Sequence, residues 1–166
     1  MLPVTVLLRT LNPGADLPPL LDVLSRQSHA PLEILMVDSG SADGSVALAE
    51  RHRVVHLEPE RFTHALSTNL GFAEARGEVV AMLSQDALPA GPEWLAHLVQ
   101  PLEDTKVAAV FGRQVARPGC FALERWELER CYPAAGTSPI SYSNVNSAAR
   151  RAVWEQIPFD ETLRIA

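Results

Sequence analysis

Short runs of uninterrupted apolar residues recur along the chain, separated by stretches in which apolar positions return every three or four residues. The first pattern is that of a strand buried on both faces, the second that of an amphipathic helix. Strands are predicted over Val4–Arg9, Leu32–Val37 (apolar throughout except Glu33), Val54–Leu57, Val79–Leu83 and Val107–Phe111. Between them, "ADLPPLLDVLSRQ" predicts a helix with Asp16 as N-cap, prolines in its first turn and Leu20, Leu21 and Leu24 on one face. A helix is predicted over roughly Ser45–Arg51 and another over Phe62–Arg76, with Leu66, Leu70 and Ala73 at helical spacing and Gly77 just past the end. "AGPEWLAHLVQPL" predicts a helix whose stripe is Trp94, Leu95, Leu98, Val99 and Leu102. After Phe111 the alternation breaks down. "GCFALERWELERCY" reads as helix, "SPISYSNVNSAA" as irregular or strand, and "RRAVWEQI" as a last short helix.

Apolar strands alternating with amphipathic helices predict an α/β fold: a mostly parallel central sheet with helices on both faces. Ligands of such sheets bind beyond the carboxyl ends of the strands. That rule places Thr10–Asn12, Asp38–Ser41 and Gln85–Asp86 along one edge. Polar groups at three separate strand ends make that edge the candidate site. No repeat, low-complexity tract or linker divides residues 1–166, so one domain is expected.

Composition narrows the ligands. The net charge of −6 offers no basic field for nucleic acid, so a phosphorylated ligand must be held by a local device such as a cation or a few chosen side chains. No apolar stretch approaches the ~20 residues of a membrane span, and "MLPVTVLLRT" lacks the basic start of a signal sequence. Cys120 and Cys131 fall in one predicted helix, about 16 Å apart, too far for a disulfide. The expected location is the cytoplasm.

The polar strand ends admit specific chemistry. An ionised Asp38 only accepts hydrogen bonds, which suits a ligand with an N–H edge such as uracil or thymine. Its competing role is to cap the turn or the following helix, which Ser41 and Asp43 can do in its place. Asp86 is a hard oxygen donor suited to Mg2+ or Mn2+ bridging to a diphosphate, against the plainer reading of a solvated loop carboxylate. His64, near a helix start beside this edge, is a further candidate, whereas His97 reads as a surface residue. Among known motifs, the P-loop, the dinucleotide glycine pattern and the nucleophile elbow are absent from the sequence. "VDSGSADGS" has the outline of a phosphatase Asp-x-Asp loop, but Gly40 stands where its second Asp would be.

Four stretches in order, "VTVLLRTLN", "LEILMVDSGSADGS", "FTHALSTNLGFAEARGEVVAMLSQDALP" and "SNVNSAARRAVWEQIPFDETL", resemble the inverting family 2 glycosyltransferases of the GT-A fold, in particular bacterial rhamnosyltransferase-like members. The resemblance implies a GT-A (Rossmann-like) sandwich that binds a nucleotide-diphosphate sugar, dTDP- or UDP-linked, with Mg2+ or Mn2+. It implies nucleotide contacts from Thr10, Asn12, Asp38, Ser39 and Asn69, a cation at Asp86, and a sugar or acceptor side formed by Gln85, Asn144, Asn146 and His64. The acceptor is an unidentified glycan or lipid-linked saccharide, which allows a peripheral position at the inner face of the membrane. Ser84 stands where the family's first metal-site Asp is usual, and Ser67-Thr68-Asn69 lacks the Arg many relatives carry there. The family's Glu-Asp pair with the catalytic base follows the "PFDE" stretch, so the base is expected beyond Ala166 and the chain reads as a donor-binding core.

Three functions are therefore weighed: a glycosyltransferase domain that transfers a sugar with inversion when complete; a non-catalytic nucleotide-sugar-binding or interaction module; and a metal-dependent phosphohydrolase, which would want a second metal carboxylate or a nucleophilic Asp that the sequence does not place well. A core lacking its C-terminal segment leaves apolar surface exposed, so self-association is expected.

Overall fold

The computed structural model describes residues 2–134 and 142–163. The predicted irregular stretch from Ser138 to Ser141 and the terminal Ala166 lie outside them. Six strands, β1 (Val4–Thr10), β2 (Glu33–Asp38), β3 (Arg53–His56), β4 (Val79–Ser84), β5 (Ala109–Phe111) and β6 (Asn146–Arg150), form one sheet in the order β3-β2-β1-β4-β6-β5. The first four are mutually parallel, with Thr10 beside Asp38 and Arg9 beside Ser84. β6 runs antiparallel to both β4 and β5. The expected mostly parallel α/β sandwich is thus observed, with one strand inserted.

Alternation along each strand sends side chains to two cores. Val4, Val6 and Leu8 pack with Met36, Ala81 and Leu83 under α1 (Leu17–Ser25) and α4 (Trp94–Val99). Leu7, Leu35, Val37, Val80 and Met82 pack with Phe72 of α3 (His64–Glu74) on the other face. Gly71 lets α3 close onto β1, since a Cβ there would collide with the Leu7 side chain. Phe72 is stacked on Trp154, with ring centroids 5.5 Å apart. At the sheet's opposite end Glu33 accepts from the Thr5 hydroxyl at 2.8 Å and the Arg76 amide at 2.7 Å, and pairs with Arg53 at 3.3 Å.

Several elements differ from expectation for identifiable reasons. The predicted Phe62–Arg76 helix begins only at His64, because Thr63 is extended and its hydroxyl caps Leu66 N–H at 3.0 Å. It ends at Glu74 on an extended Ala75, so Gly77 does not terminate it. Gly77 instead donates to the Thr5 hydroxyl at 2.9 Å, in a space a Cβ would fill. Asp16 makes no capping bond and pairs with Arg117 at 3.2 Å. The Ser45–Arg51 helix contracts to α2 (Ser45–Leu48). α5 (Ala122–Cys131) excludes Cys120, and both cysteines are free. The last helix, α6, covers Arg151–Trp154. β6 escapes an apolar-run reading because "NSAAR" is small and polar, although Ser147 and Ala148 are fully buried.

Candidate functional site

β1 is the point from which the sheet is built in both directions, to β2 on one side and to β4 on the other. The crevice at its carboxyl end is a topological switch point, the usual ligand position in open α/β sheets. Thr10 and Asp38 form one wall and Ser84–Asp86 the other.

Asp38 is buried, and its carboxylate is fully engaged by its own turn. Oδ1 accepts from the Thr10 hydroxyl at 3.0 Å and the Ser41 hydroxyl at 2.5 Å. Oδ2 accepts from the Gly40 N–H at 3.1 Å and the Ser41 N–H at 2.9 Å. Desolvation pushes this carboxyl up, but the donors from Ser41, Thr10 and Gly40 together outweigh it and hold the group below the usual carboxylate range. The capping role is therefore filled by Asp38 itself, while Asp43 serves the next turn by accepting from Ser45 N–H at 3.0 Å. Ser39 is buried beside it, its N–H on the Thr10 carbonyl at 2.9 Å and its hydroxyl without a partner among the described residues.

Asn12 holds the β1 loop against the β2 loop. Its left-handed backbone, φ 47°, is one Asn tolerates. Its carboxamide oxygen accepts from Ala42 N–H at 2.8 Å and its own N–H donates to the Ser41 hydroxyl at 2.8 Å. On the opposite wall Gln85 is tied to the backbone of Leu11, accepting at 2.7 Å and donating at 3.1 Å. Both carboxamide ends of Gln85 are thus engaged within the chain.

Asp86 receives the Ser84 hydroxyl on Oδ1, and its backbone carbonyl receives the Arg117 guanidinium. Oδ2 accepts from nothing among the described residues. Those residues contain no group of three or more His, Cys, Asp or Glu side chains placed to hold a metal ion. A carboxylate with one open oxygen beside a hydroxyl fits a hard cation that keeps most of its shell as water and ligand phosphate, the habit of Mg2+.

Beside the crevice, on the α3 face, lies a cavity of about 620 Å³ lined by Phe62, His64, Asn144, Phe159 and Asp160, among others. The His64 ring meets Phe62 edge-on at 5.3 Å. The Asn144 carboxamide oxygen is buried without a partner among the described residues. Asn146 is not part of this group: it lines a separate cavity of about 520 Å³ on the α4 face, where it accepts from Trp94 Nε1 at 2.9 Å. Asn144 lies in the turn before β6, whereas Asn146 opens the strand and shares the α1–α4 face with Ala148. Asn69 is engaged by the segment from Trp154 to Glu161. It donates to the Phe159 carbonyl and the Glu161 carboxylate, both at 2.8 Å, and accepts from Trp154 Nε1 at 2.8 Å and Phe159 N–H at 3.0 Å.

Two residues at this edge gave no sequence signal. Arg117 reaches Asp16 and Asp86 from an irregular loop whose path only the fold reveals. Arg9 reads in sequence as the polar end of a strand, yet its side chain runs under α3 to within 3.3 Å of the Thr68 hydroxyl.

The glycosyl transferase family 2 profile matches residues 5–160. The chain belongs to glycosyl transferase family 2. The O-antigen chain rhamnosyltransferase RfbN of Salmonella typhimurium is 28% identical over 170 residues, covering 93% of this chain and 54% of that protein. The N-acetylglucosaminyl-diphospho-decaprenol L-rhamnosyltransferase of Mycobacterium tuberculosis is 33% identical over 96 residues, covering 57% of this chain and 29% of the relative. The chain spans about half the length of RfbN or less of the other relative. Among solved structures, the mannosyltransferase PcManGT from Pyrobaculum calidifontis, in complex with GDP-Man and Mn2+, superposes with a TM-score of 0.73 at 27% identity, over 96% of this chain and 48% of that one. Glucosyl-3-phosphoglycerate synthase from Mycobacterium tuberculosis, in complex with UDP, gives 0.71 at 25%, over 95% and 60%. The family 2 sheet is the GT-A architecture that the sequence motifs imply. No helix among the described residues is long and apolar enough to cross a membrane.

Proposed function

We propose that this chain is the donor-binding domain of an inverting glycosyltransferase, taking a nucleotide-diphosphate sugar into the β1/β4 crevice. The observation that carries the reading is the placement of Asp38 and Asp86 on facing walls of one switch-point crevice in a family 2 fold. Asp38 accepts the N–H edge of the base once Ser41 yields a lone pair, and Thr10 holds the carboxylate in place. Uracil, thymine and guanine all present such an edge, so Asp38 alone does not select among UDP, dTDP and GDP donors. The rhamnosyltransferase relatives favour a dTDP-sugar.

Asp86 and the Ser84 hydroxyl are the residues that would hold a divalent cation. Bound there, Mg2+ or Mn2+ would supply Lewis-acid stabilisation of the diphosphate leaving group, a contribution of several kcal/mol. The α3-face cavity is the sugar and acceptor side, with His64 and the open carboxamide oxygen of Asn144 as hydrogen-bonding groups. The acceptor hydroxyl of a glycan or lipid-linked saccharide enters there, and the base that deprotonates it is supplied from outside the described residues. Such a reaction draws on cytoplasmic nucleotide sugars, with a lipid-linked acceptor bringing the protein to the inner face of the membrane.

Calorimetric titration with UDP, dTDP and GDP, with and without Mn2+, tests this reading. Metal-dependent binding of at least one nucleotide, lost in Asp38→Ala and in Asp86→Ala, is expected. A folded chain that binds none of the three under either condition would overturn it.

A further inference from the structure

Among the described residues, the partly buried Arg53 and Arg151 are ion-paired and Arg150 is spent on the carbonyls of Leu102, Asp104 and Val107, which leaves Arg9 at the crevice. Arg53 holds Glu33 and Glu74, at 3.3 and 2.5 Å, and Arg117 holds Asp16 at 3.2 Å. Arg9 takes part in none of the ion pairs among the described residues. Its Nη1 makes long contacts with neutral groups: His64 Nδ1 at 3.4 Å, the His64 carbonyl at 3.4 Å and the Thr68 hydroxyl at 3.3 Å. Nε and Nη2 donate to nothing among the described residues, and neither is fully buried, so that edge of the guanidinium keeps unspent donors. A guanidinium always carries its charge and is a fork of five donors. Removed from water without an anion, it is a cost to the fold that a ligand can offset.

Its position says which anion. Arg9, the penultimate residue of β1, is on the α3 face and directly beside Ser84 of β4, whose hydroxyl contacts Asp86. Asp38 lies on the other side of Arg9, paired in register with Thr10. A ligand with its base at Asp38 and its metal-bound phosphates at Asp86 crosses the carboxyl end of β1, to which Arg9 belongs.

We propose that Arg9 is a donor-phosphate contact, its unspent Nε–Nη2 edge receiving a phosphate oxygen of the nucleoside diphosphate. The inference rests on the donor-site reading above and adds to it the residue that recognises the anion. Two parallel N–H···O bonds from a guanidinium to phosphate are the strong, geometrically selective kind.

The test compares uridine with UDP, and thymidine with dTDP, in Mn2+, on wild type and Arg9→Gln. Loss of one charge-assisted contact is worth roughly 10- to 100-fold in affinity. That loss is expected for the diphosphates, with the nucleosides nearly unchanged. Arg9→Lys, which keeps the charge and loses the fork, should fall between, and serves if Arg9→Gln does not fold. Because Arg9 already reaches Thr68, the exchanged pair Arg9→Thr with Thr68→Arg should bring a guanidinium back to the same volume and recover most diphosphate binding. Equal losses for nucleoside and diphosphate would make Arg9 a structural prop and overturn the proposal, as would diphosphate affinity unchanged in Arg9→Gln. Failure of wild type to bind any nucleotide would instead remove the donor-site reading, and this inference with it.

Discussion

Gln85 and Leu11 are joined by a reciprocal pair of hydrogen bonds, side-chain oxygen to amide at 2.7 Å and side-chain nitrogen to carbonyl at 3.1 Å. The pair latches the loop after β1 to the loop after β4, so the two walls of the crevice are held together before any ligand arrives. Replacing Gln85 by Ala removes both bonds and should cost about 1 kcal/mol in urea unfolding. Gln85→Glu keeps the acceptor but turns the donor into a second acceptor facing the Leu11 carbonyl. It should be no better than Ala at neutral pH, and nucleotide affinity should fall in both variants. Unchanged stability in Gln85→Ala would mean that the latch opens in solution.

The donors around Asp38 predict a specific response to acid. Its folded-state pKa lies below the unfolded value of about 3.9, so its stabilising contribution is complete above that pH. The contribution is lost as pH falls toward the folded value. Wild type should therefore exceed Asp38→Asn in stability at pH 6, with the gap closing below pH ~4. Denaturant melts at a series of pH values give the difference directly. A gap that widened in acid would contradict the hydrogen-bonded carboxylate.

Asn69 predicts a large effect from a small change. Its carboxamide satisfies two donors and two acceptors of the segment from Trp154 to Glu161. Asn69→Leu strands Trp154 Nε1 and the Phe159 amide in a half-buried place and should cost roughly 2–4 kcal/mol. Asn69→Asp keeps the shape but turns an acceptor toward the Phe159 carbonyl and the Glu161 carboxylate. It should be destabilised more at pH 7 than at pH 4, a comparison that thermal melts decide. If the nucleotide edge rather than this clamp were its role, both variants would melt near wild type and bind nucleotide poorly.

Self-association remains the expectation for the free chain. Phe121 is 85% exposed and Trp126 54% exposed, with Leu123 between them, and α5 contributes no buried residue to either core. Sedimentation velocity should show a mass that rises with concentration, and Phe121→Ser with Trp126→Ser should reduce it. Monomer alone at every concentration would remove this prediction.

The inner sheet was legible because β1, β2 and β4 are buried on both faces, and burial on both faces writes itself as an unbroken apolar run. β6 was legible only as one of two alternatives, irregular or strand, because "NSAAR" is small and polar and makes no apolar run. The strand-end rule assembled Thr10, Asn12, Asp38, Ser39 and Asp86 along one edge. It could not tell which polar groups the chain spends on itself: Gln85, Asn69 and Asn146 are committed to backbone, tryptophan and carboxylate partners remote in sequence. Arg9 was hidden for the converse reason. Its partners among the described residues are few and neutral, and only the three-dimensional path of its side chain under α3 makes that visible.

The late arrival of β6 also orders the assembly of the sheet. The β4–β6 pairing, Val79 with Arg150, and the β1–β4 pairing, Val4 with Val79, both join residues far apart in the chain. Non-local pairings of this kind form slowly, and β6 is the last of the strands in chain order. In a chain made from its N-terminus, the four parallel strands can zip as they emerge, while β5 has no hydrogen-bonding neighbour until β6 slides in beside β4. Damage to β6 therefore releases two strands from the sheet, not one, and bares the flank of β4 that they cover.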